Sequence, residues 1–432
     1  MRRPRSRTCN RAERLYSPLY LSSLLAVLMF GVLAFGASET WANSILEIGA
    51  ALLFTVLVVH KICISGLRAK WNPLYAPVIG FAAVGAAQVA FNLTAYRYAT
   101  WLVCLQYLAY AAFLFIATQL AGDSGTSKTL VLGFTLFGSA VALLGICQYL
   151  SAATRIYWLH WPATTGNFFG TYVNRDHYAG LMEMLTPFAL VLSLSRLIHG
   201  GQRMLAGFAA IIMAGSIVLT LSRGGVISLV AELMFLFWIT FKVQQGSVVR
   251  NQLALGLGLT MVFLVFAGSS TEWSHLGDVQ ETFRWNVLKD SLRMFAHKPI
   301  LGWGLGTFDV VYPAYRSFYT TLYVNAAHND YLQVLIETGI LGFSCVVWFG
   351  SVLYRTGLKG LGHWNQSWRG ALQLSALVGC TGLLVHSALD FNLQVPANAA
   401  IFYSFCALAT SLRSNAERST SRPVDVPLEK VG

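Results

Sequence analysis

Apolar runs dominate the chain, and short polar stretches separate them. Runs near 18–37, 42–60, 74–94, 99–121, 129–151, 177–196, 204–221, 224–242, 250–268, 329–354, 371–389 and 396–412 each approach or reach the ~17–25 residues that carry a helix across about 30 Å of hydrocarbon. The pattern predicts an all-α, polytopic membrane protein with about 12 transmembrane helices. Most connections are short, as in a packed bundle, but 152–176 and 269–327 are long. The first is rich in aromatics (Tyr157, Trp158, Trp161, Phe168, Phe169, Tyr172), as an interfacial belt would be. Within the second, Phe283, Val287, Leu288, Leu292 and Phe295 recur at helical spacing, which predicts an amphipathic helix over 281–295 lying on the membrane or on the spans. Pro299 ends that helix, and Gly302-Trp303-Gly304-Leu305-Gly306 makes a tight turn.

Composition agrees with the pattern: 56% hydrophobic and 11% charged residues, against about 25% charged in soluble domains. The net charge of +12 is a topology signal before it is anything else. With the N-terminus in the cytoplasm, 21 of the 30 Lys and Arg fall in inside segments, which predicts an even number of spans and both termini cytoplasmic. Loops 152–176 and 269–327 then lie outside. No nucleic-acid partner is needed to explain the basic balance, and the tail Arg2-Arg3-Pro4-Arg5-Ser6-Arg7 suits anionic lipid. None of the seven cysteines lies in an outside loop, so no disulfide is expected. No CxxC, HExxH or DxD occurs, and no metal or cofactor is expected.

His328-Asn329-Asp330 runs straight into a long apolar stretch, which puts His328 at a helix N-terminus near a membrane surface. Partial positive charge there disfavours imidazolium, so a neutral His328 can serve as a general base; a polar helix cap is the plainer alternative. Arg223, in Leu221-Ser222-Arg223-Gly224-Gly225, stands in a turn too short to lift it far into water. It is either a snorkelling anchor or a ligand for an anion, with the two glycines allowing close approach. Arg284 and Arg293 lie on nearly opposite sides of the predicted surface helix, and Arg175 opens a span beside Asp176. Arginines and neutral-capable histidines at one face suit a diphosphate. Glu47, Glu183, Glu232 and Glu337 fall within spans, where acids are rarely idle.

Four segments in order, Ser222-Arg223-Gly224-Gly225, the run 299–308, His328-Asn329-Asp330-Tyr331-Leu332 and the run 337–342, resemble the O-antigen ligase and polymerase superfamily. Segments 173–177 and 386–393 resemble the branch that makes exopolysaccharides and surface glycans. The resemblance implies a domain over 205–350 containing the extracytoplasmic loop 269–327. It is preceded by a basic tail (1–17) and an N-terminal transmembrane bundle (18–204), and followed by transmembrane helices (351–412) and a cytoplasmic tail (413–432). It implies a metal-independent, inverting glycosyltransferase of the bacterial inner membrane that takes a polyprenyl-diphosphate-linked glycan as donor and a glycan, lipid or protein as acceptor. By motif, His328 would be the catalytic base, Arg223 and Arg284 would hold the diphosphate, and Arg175 is a further candidate for substrate binding. Ligase, polymerase and protein O-oligosaccharyltransferase remain open alternatives, as does a flippase for lipid-linked glycans.

Overall fold

The computed structural model describes residues 7–65, 69–161, 168–243, 246–268, 271–321 and 323–411. Each of the apolar runs forms a helix: α1 (Arg7–Leu33), α2 (Thr40–Ser65), α3 (Tyr75–Ala90), α4 (Arg97–Leu120), α5 (Ser124–Leu150), α6 (Arg175–Leu194), α7 (Gly201–Leu219), α8 (Arg223–Lys242), α9 (Ser247–Gly268), α12 (Asp330–Gly357), α13 (Trp368–His386) and α14 (Pro396–Thr410). Between α9 and α12 lie α10 (Thr271–His297) and the one-turn α11 (Phe308–Val311). Among the described residues, β-structure is limited to two isolated bridges. Eight helices there are long and apolar enough to cross a membrane: α2, α4, α5, α6, α7, α8, α12 and α13. Stretches 18–33 and α3 are apolar but shorter, and α14 has 15 residues.

The bundle is built around α6, the most buried of these helices. It packs on α5, α7, α8 and α13, while α14 joins α13 to α4 and α1. Glycine lets α13 approach α6 closely: a Cβ on Gly379 would lie 2.6 Å from the Met184 carbonyl oxygen.

The long loop does not hang free. Val287 and Met294 of α10 are buried with Phe308, Val311, Tyr312, Val324, Ala327, Leu332 and Ile336, a second apolar core that seats α10 on the start of α12. Buried Asp290 accepts from Ser317 N (2.9 Å), Tyr312 Oη (3.4 Å) and Arg293 Nη1 (3.3 Å), so a single carboxylate gathers the far strands of the loop.

The glycine turn owes its form to α12. That helix is interrupted at Gly339, whose φ of +63° is left-handed. Segment 299–304 docks against the break: Ile340 N donates to Pro299 O (2.8 Å), Trp303 N to Ile336 O (3.0 Å) and Gly304 N to Glu337 O (2.9 Å). Gly302 and Gly339 face one another's backbones so closely that a Cβ on either would collide with the other segment. Glu337 completes the joint by accepting from Gly306 N (2.9 Å) and Phe308 N (3.3 Å), and Gln88 of α3 donates to the carbonyls of Leu301 and Glu337. These glycines serve backbone packing, and Glu337 is a structural acid.

Candidate functional site

Helix α12 begins at Asp330, with Asn329 as its cap: the Asn329 side chain accepts from Leu332 N at 2.9 Å. His328 therefore stands just outside the helix. Helix geometry starts two residues later and is interrupted at Gly339. His328 has φ +51°, a left-handed conformation that is uncommon for a residue with a Cβ and costs on the order of 1–3 kcal/mol. Strain of this kind persists only where neighbours hold it.

Those neighbours are the α13–α14 connection, residues 387–395. Three successive carbonyls there are taken from outside: Asp330 N donates to Ser387 O (2.9 Å), Asn329 Nδ2 to Ala388 O (2.8 Å) and Arg284 Nη1 to Leu389 O (3.2 Å). In return, Leu393 N donates to Asp330 Oδ2 at 2.9 Å. With its backbone locked in this way, the connection presents buried Asp390 to His328, Oδ1 lying 3.3 Å from Nδ1.

Burial alone would raise the Asp390 pKa. The hydrogen bond to His328 and the positive fields of His177, His328 and Arg284 outweigh it and hold the carboxyl below its ordinary range. A carboxylate only accepts hydrogen bonds, so Nδ1 of His328 donates to Asp390 and Nε2 is the ring nitrogen turned away from it. Phe391 and Phe283 set ring edges beside the imidazole at centroid distances of 5.1 and 6.3 Å. The arrangement is an imidazole oriented by a buried acid.

Arg284 meets this unit directly through Leu389, the residue before Asp390. Arg293 does not: it is exposed and pairs with Asp290 on its own helix. The two arginines left open by the sequence thus separate, with Arg284 at the His328 end of α10. Arg223 is the first residue of α8, capped by Ser222, whose hydroxyl accepts from Gly225 N at 3.1 Å. Its glycines pack against protein: a Cβ on Gly224 would lie 2.5 Å from His386 Nε2, and one on Gly225 2.8 Å from the Ala179 Cβ. Arg223 therefore stands one residue from a contact with the hub that holds Asp390. Arg175 is half-buried at the start of α6, and Asn174 rather than an Arg175/Asp176 pair caps that helix, accepting from Asp176 N at 2.9 Å.

Three functional candidates escaped the sequence reading of roles: Asp390, His386 and Glu183. His386 and Glu183 form a fully buried pair, Nδ1 to Oε1 at 2.8 Å. Asp176, His386 and Asp390 offer ligand atoms within 4.8 Å of one another, a spacing that a small cation could use and that two carboxylates flanking an imidazole also produce. The available signals were weak. Glu183 is an acid inside an apolar run, and the spacing of His386 and Asp390 means nothing until α13 is known to end between them.

Beside this end of the bundle, α3, α4, α12, α13 and α14 enclose a mostly apolar cavity of about 1110 Å³. Phe81, Trp101, Tyr107, Val346 and Phe402 line it, and Arg97, Asp330, Gln333 and Glu337 add polar groups. It exceeds the ~300–1,000 Å³ of ordinary small-ligand pockets. Asp330 ties it to the site, being two residues from His328.

No curated protein matches the chain. Residues 208–347 match the family model described as O-antigen ligase, a stretch that contains Arg223, Arg284 and His328 and ends before His386 and Asp390. The match supports the O-antigen ligase superfamily over those residues, and the described apolar helices are those of a multi-pass membrane protein.

Proposed function

We propose that the protein transfers a glycan from a polyprenyl-diphosphate carrier to an acceptor hydroxyl at the outer face of the bacterial inner membrane, without a metal ion and with inversion at the anomeric carbon. The observation that carries this reading is the His328–Asp390 pair lying within one residue of the Arg284 contact. Nε2 of His328 takes the acceptor proton as its oxygen attacks the anomeric carbon, and the carrier diphosphate leaves. Arg284, Arg223 and Arg175 supply cationic donors for the charge that grows on the diphosphate, the part a divalent ion plays elsewhere. One displacement by one activated oxygen inverts the centre. The adjoining cavity has the volume and apolar lining that a long isoprenoid chain requires. The acceptor hydroxyl belongs to a glycan, a lipid or a protein.

The test is transfer by purified protein in detergent, with a polyprenyl-diphosphate glycan, an acceptor and EDTA. His328→Ala should lower the rate about 10²–10⁴-fold, the usual worth of a placed general base, while donor binding is kept. A flippase would form no covalent product under these conditions. Unchanged transfer by the variant would return His328 to a role in the loop's conformation alone.

A further inference from the structure

Glu183 lies eight residues into α6, on the most buried helix of the bundle, and is fully buried there. A carboxylate in such a place is costly unless it is held and used. Its partner is His386, the last residue of α13, 1% exposed and bonded through Nδ1.

The surroundings of His386 are unusually specific. Gly224 leaves the space that its Nε2 edge occupies, so the ring is wedged against the Arg223 turn. Its carbonyl oxygen accepts from Leu389 N (2.7 Å) and Asp390 N (3.0 Å), so its backbone begins the turn that aims Asp390 at His328. Its own nitrogen-bearing edge is within 4.8 Å of the Asp390 and Asp176 carboxylates. The same turn is braced on α6 from a second side: Asn398 Nδ2 donates to His177 O (2.9 Å) and to Asn392 Oδ1 (3.2 Å), and Gly180 makes room for Asn392. One imidazole thus lies between both halves of the site, the α8 turn and the Asp390 loop, and a buried bond to Glu183 holds its far nitrogen.

We propose that Glu183 and His386 are positioning residues that set the separation between the Arg223 turn and the His328–Asp390 pair. The inference rests on the functional reading above, because it assigns Arg223 to the leaving diphosphate and His328 to the acceptor. Neither residue contacts substrate. Their effect is to keep base and cation at the distance a single in-line displacement needs, where a misplacement of about 1 Å costs on the order of a hundredfold in rate.

Glu183→Gln keeps the size of the side chain and changes the partner offered to Nδ1, while Glu183→Asp keeps the charge and withdraws it by one methylene. His386→Gln removes the ring from the Gly224 contact. Each variant is compared with wild type for thermal unfolding in detergent, for donor binding at equilibrium and for transfer rate at saturating donor. The expected result is a fall in transfer rate of about 10–100-fold, with donor affinity within about threefold and the unfolding temperature little changed.

The deciding measurement is the pairing with His328→Ala. If Glu183 acts through the separation of base and cation, removing the base removes what that separation controls, so Glu183→Gln adds little to the loss already caused by His328→Ala, whereas independent damage multiplies. Multiplying losses, or rate and donor affinity falling in step with the folded fraction in all three variants, would overturn the positioning role and leave the proposed reaction standing. Absence of transfer by the wild type would overturn the reaction itself.

Discussion

Replacing Asp390 with asparagine changes one oxygen for an amide nitrogen, and the geometry around His328 determines the consequence. In the native site the carboxylate accepts the Nδ1 proton of His328 across 3.3 Å, so in the neutral imidazole Nε2 is the accepting nitrogen. An asparagine can turn its NH₂ toward Nδ1 instead, and it is then Nε2 that carries the proton and cannot accept another. Where a buried acid orients a catalytic histidine at good hydrogen-bond length, the same substitution costs about 10⁴ in rate. Here 3.3 Å is at the long end of the range for a nitrogen donor, and Phe391 and Phe283 also restrain the ring, so the expected loss is smaller, about 10²–10³ or roughly 3–4 kcal/mol of barrier. Single-turnover transfer in detergent measures it directly, with donor affinity measured separately and expected to change little. A rate within threefold of wild type, in protein whose activity still requires His328, would show that Asp390 does not set the tautomer.

The same variant carries a prediction about pH. Asp390 has its pKa depressed in the folded protein: burial pushes it up, and the His328 hydrogen bond with the charges of His177, His328 and Arg284 pulls it further down. A depressed carboxyl gives stability that is present above its unfolded pKa of about 3.9 and is lost as pH falls through the lower folded value. The stability that wild type holds over Asp390→Asn should therefore shrink as pH falls below about pH 4. A difference that does not shrink there would mean that Asp390 is not held as a carboxylate in the folded protein.

Arg284→Lys should lose transfer by at least tenfold, because an ammonium cannot hold both the Leu389 carbonyl and a phosphate oxygen in the guanidinium's planar geometry, whereas Arg293→Lys, which changes only an exposed pair with Asp290, should stay within about threefold; equal losses would erase the distinction between them. Gly339→Ala places a Cβ against the backbone of Ile300 at a left-handed φ and should lower the unfolding temperature more than Gly350→Ala, where a Cβ meets nothing within 4 Å; equal shifts would remove the docking argument for the glycine turn. A cysteine at exposed Ser317, in a background without reactive thiols, should label with an impermeant reagent in intact spheroplasts, and protection would reverse the orientation drawn from the charges.

The helices were legible because a run of about twenty apolar residues has one physical solution in hydrocarbon, and every such run is helical here. The broken form of α12 was not, since Gly339 in an apolar run reads as an ordinary small residue until the segment it packs against is known. The glycines at 302, 304 and 306 were visible as a turn, but their use was hidden for the same reason: it depends on the Glu337 and Ile336 carbonyls, more than thirty residues away. At the site, His328, Arg223 and Arg284 could be singled out because a polar or cationic residue at the mouth of an apolar helix is locally conspicuous. Asp390 could not, because its role depends on three consecutive carbonyls being claimed by two other helices, which no periodicity records.

That difference bears on where the site's accuracy comes from. The conspicuous residues sit on three separate elements, α8, α10 and the start of α12, and α10 is held by a small apolar core of its own. Left to those elements, base and cations would be placed only as well as a long loop can place them. The α13–α14 connection removes that freedom, since it bonds to α10 through Leu389 and to α12 through Ser387 and Ala388, and the helices on either side of it are tied to α6 through His386 and Asn398. On the proposed reaction, a strut outside residues 208–347 thus governs chemistry carried by residues inside them. Loosening the strut without touching a charged group should therefore act as a catalytic lesion. Asn398→Ala is such a change: it deletes the bonds to His177 O and Asn392 Oδ1 and the one accepted from Tyr172 Oη, and replaces no residue assigned to donor or base. Its transfer rate should fall at unchanged donor affinity, and a variant as active as wild type would show that α10 and α12 hold the geometry by themselves.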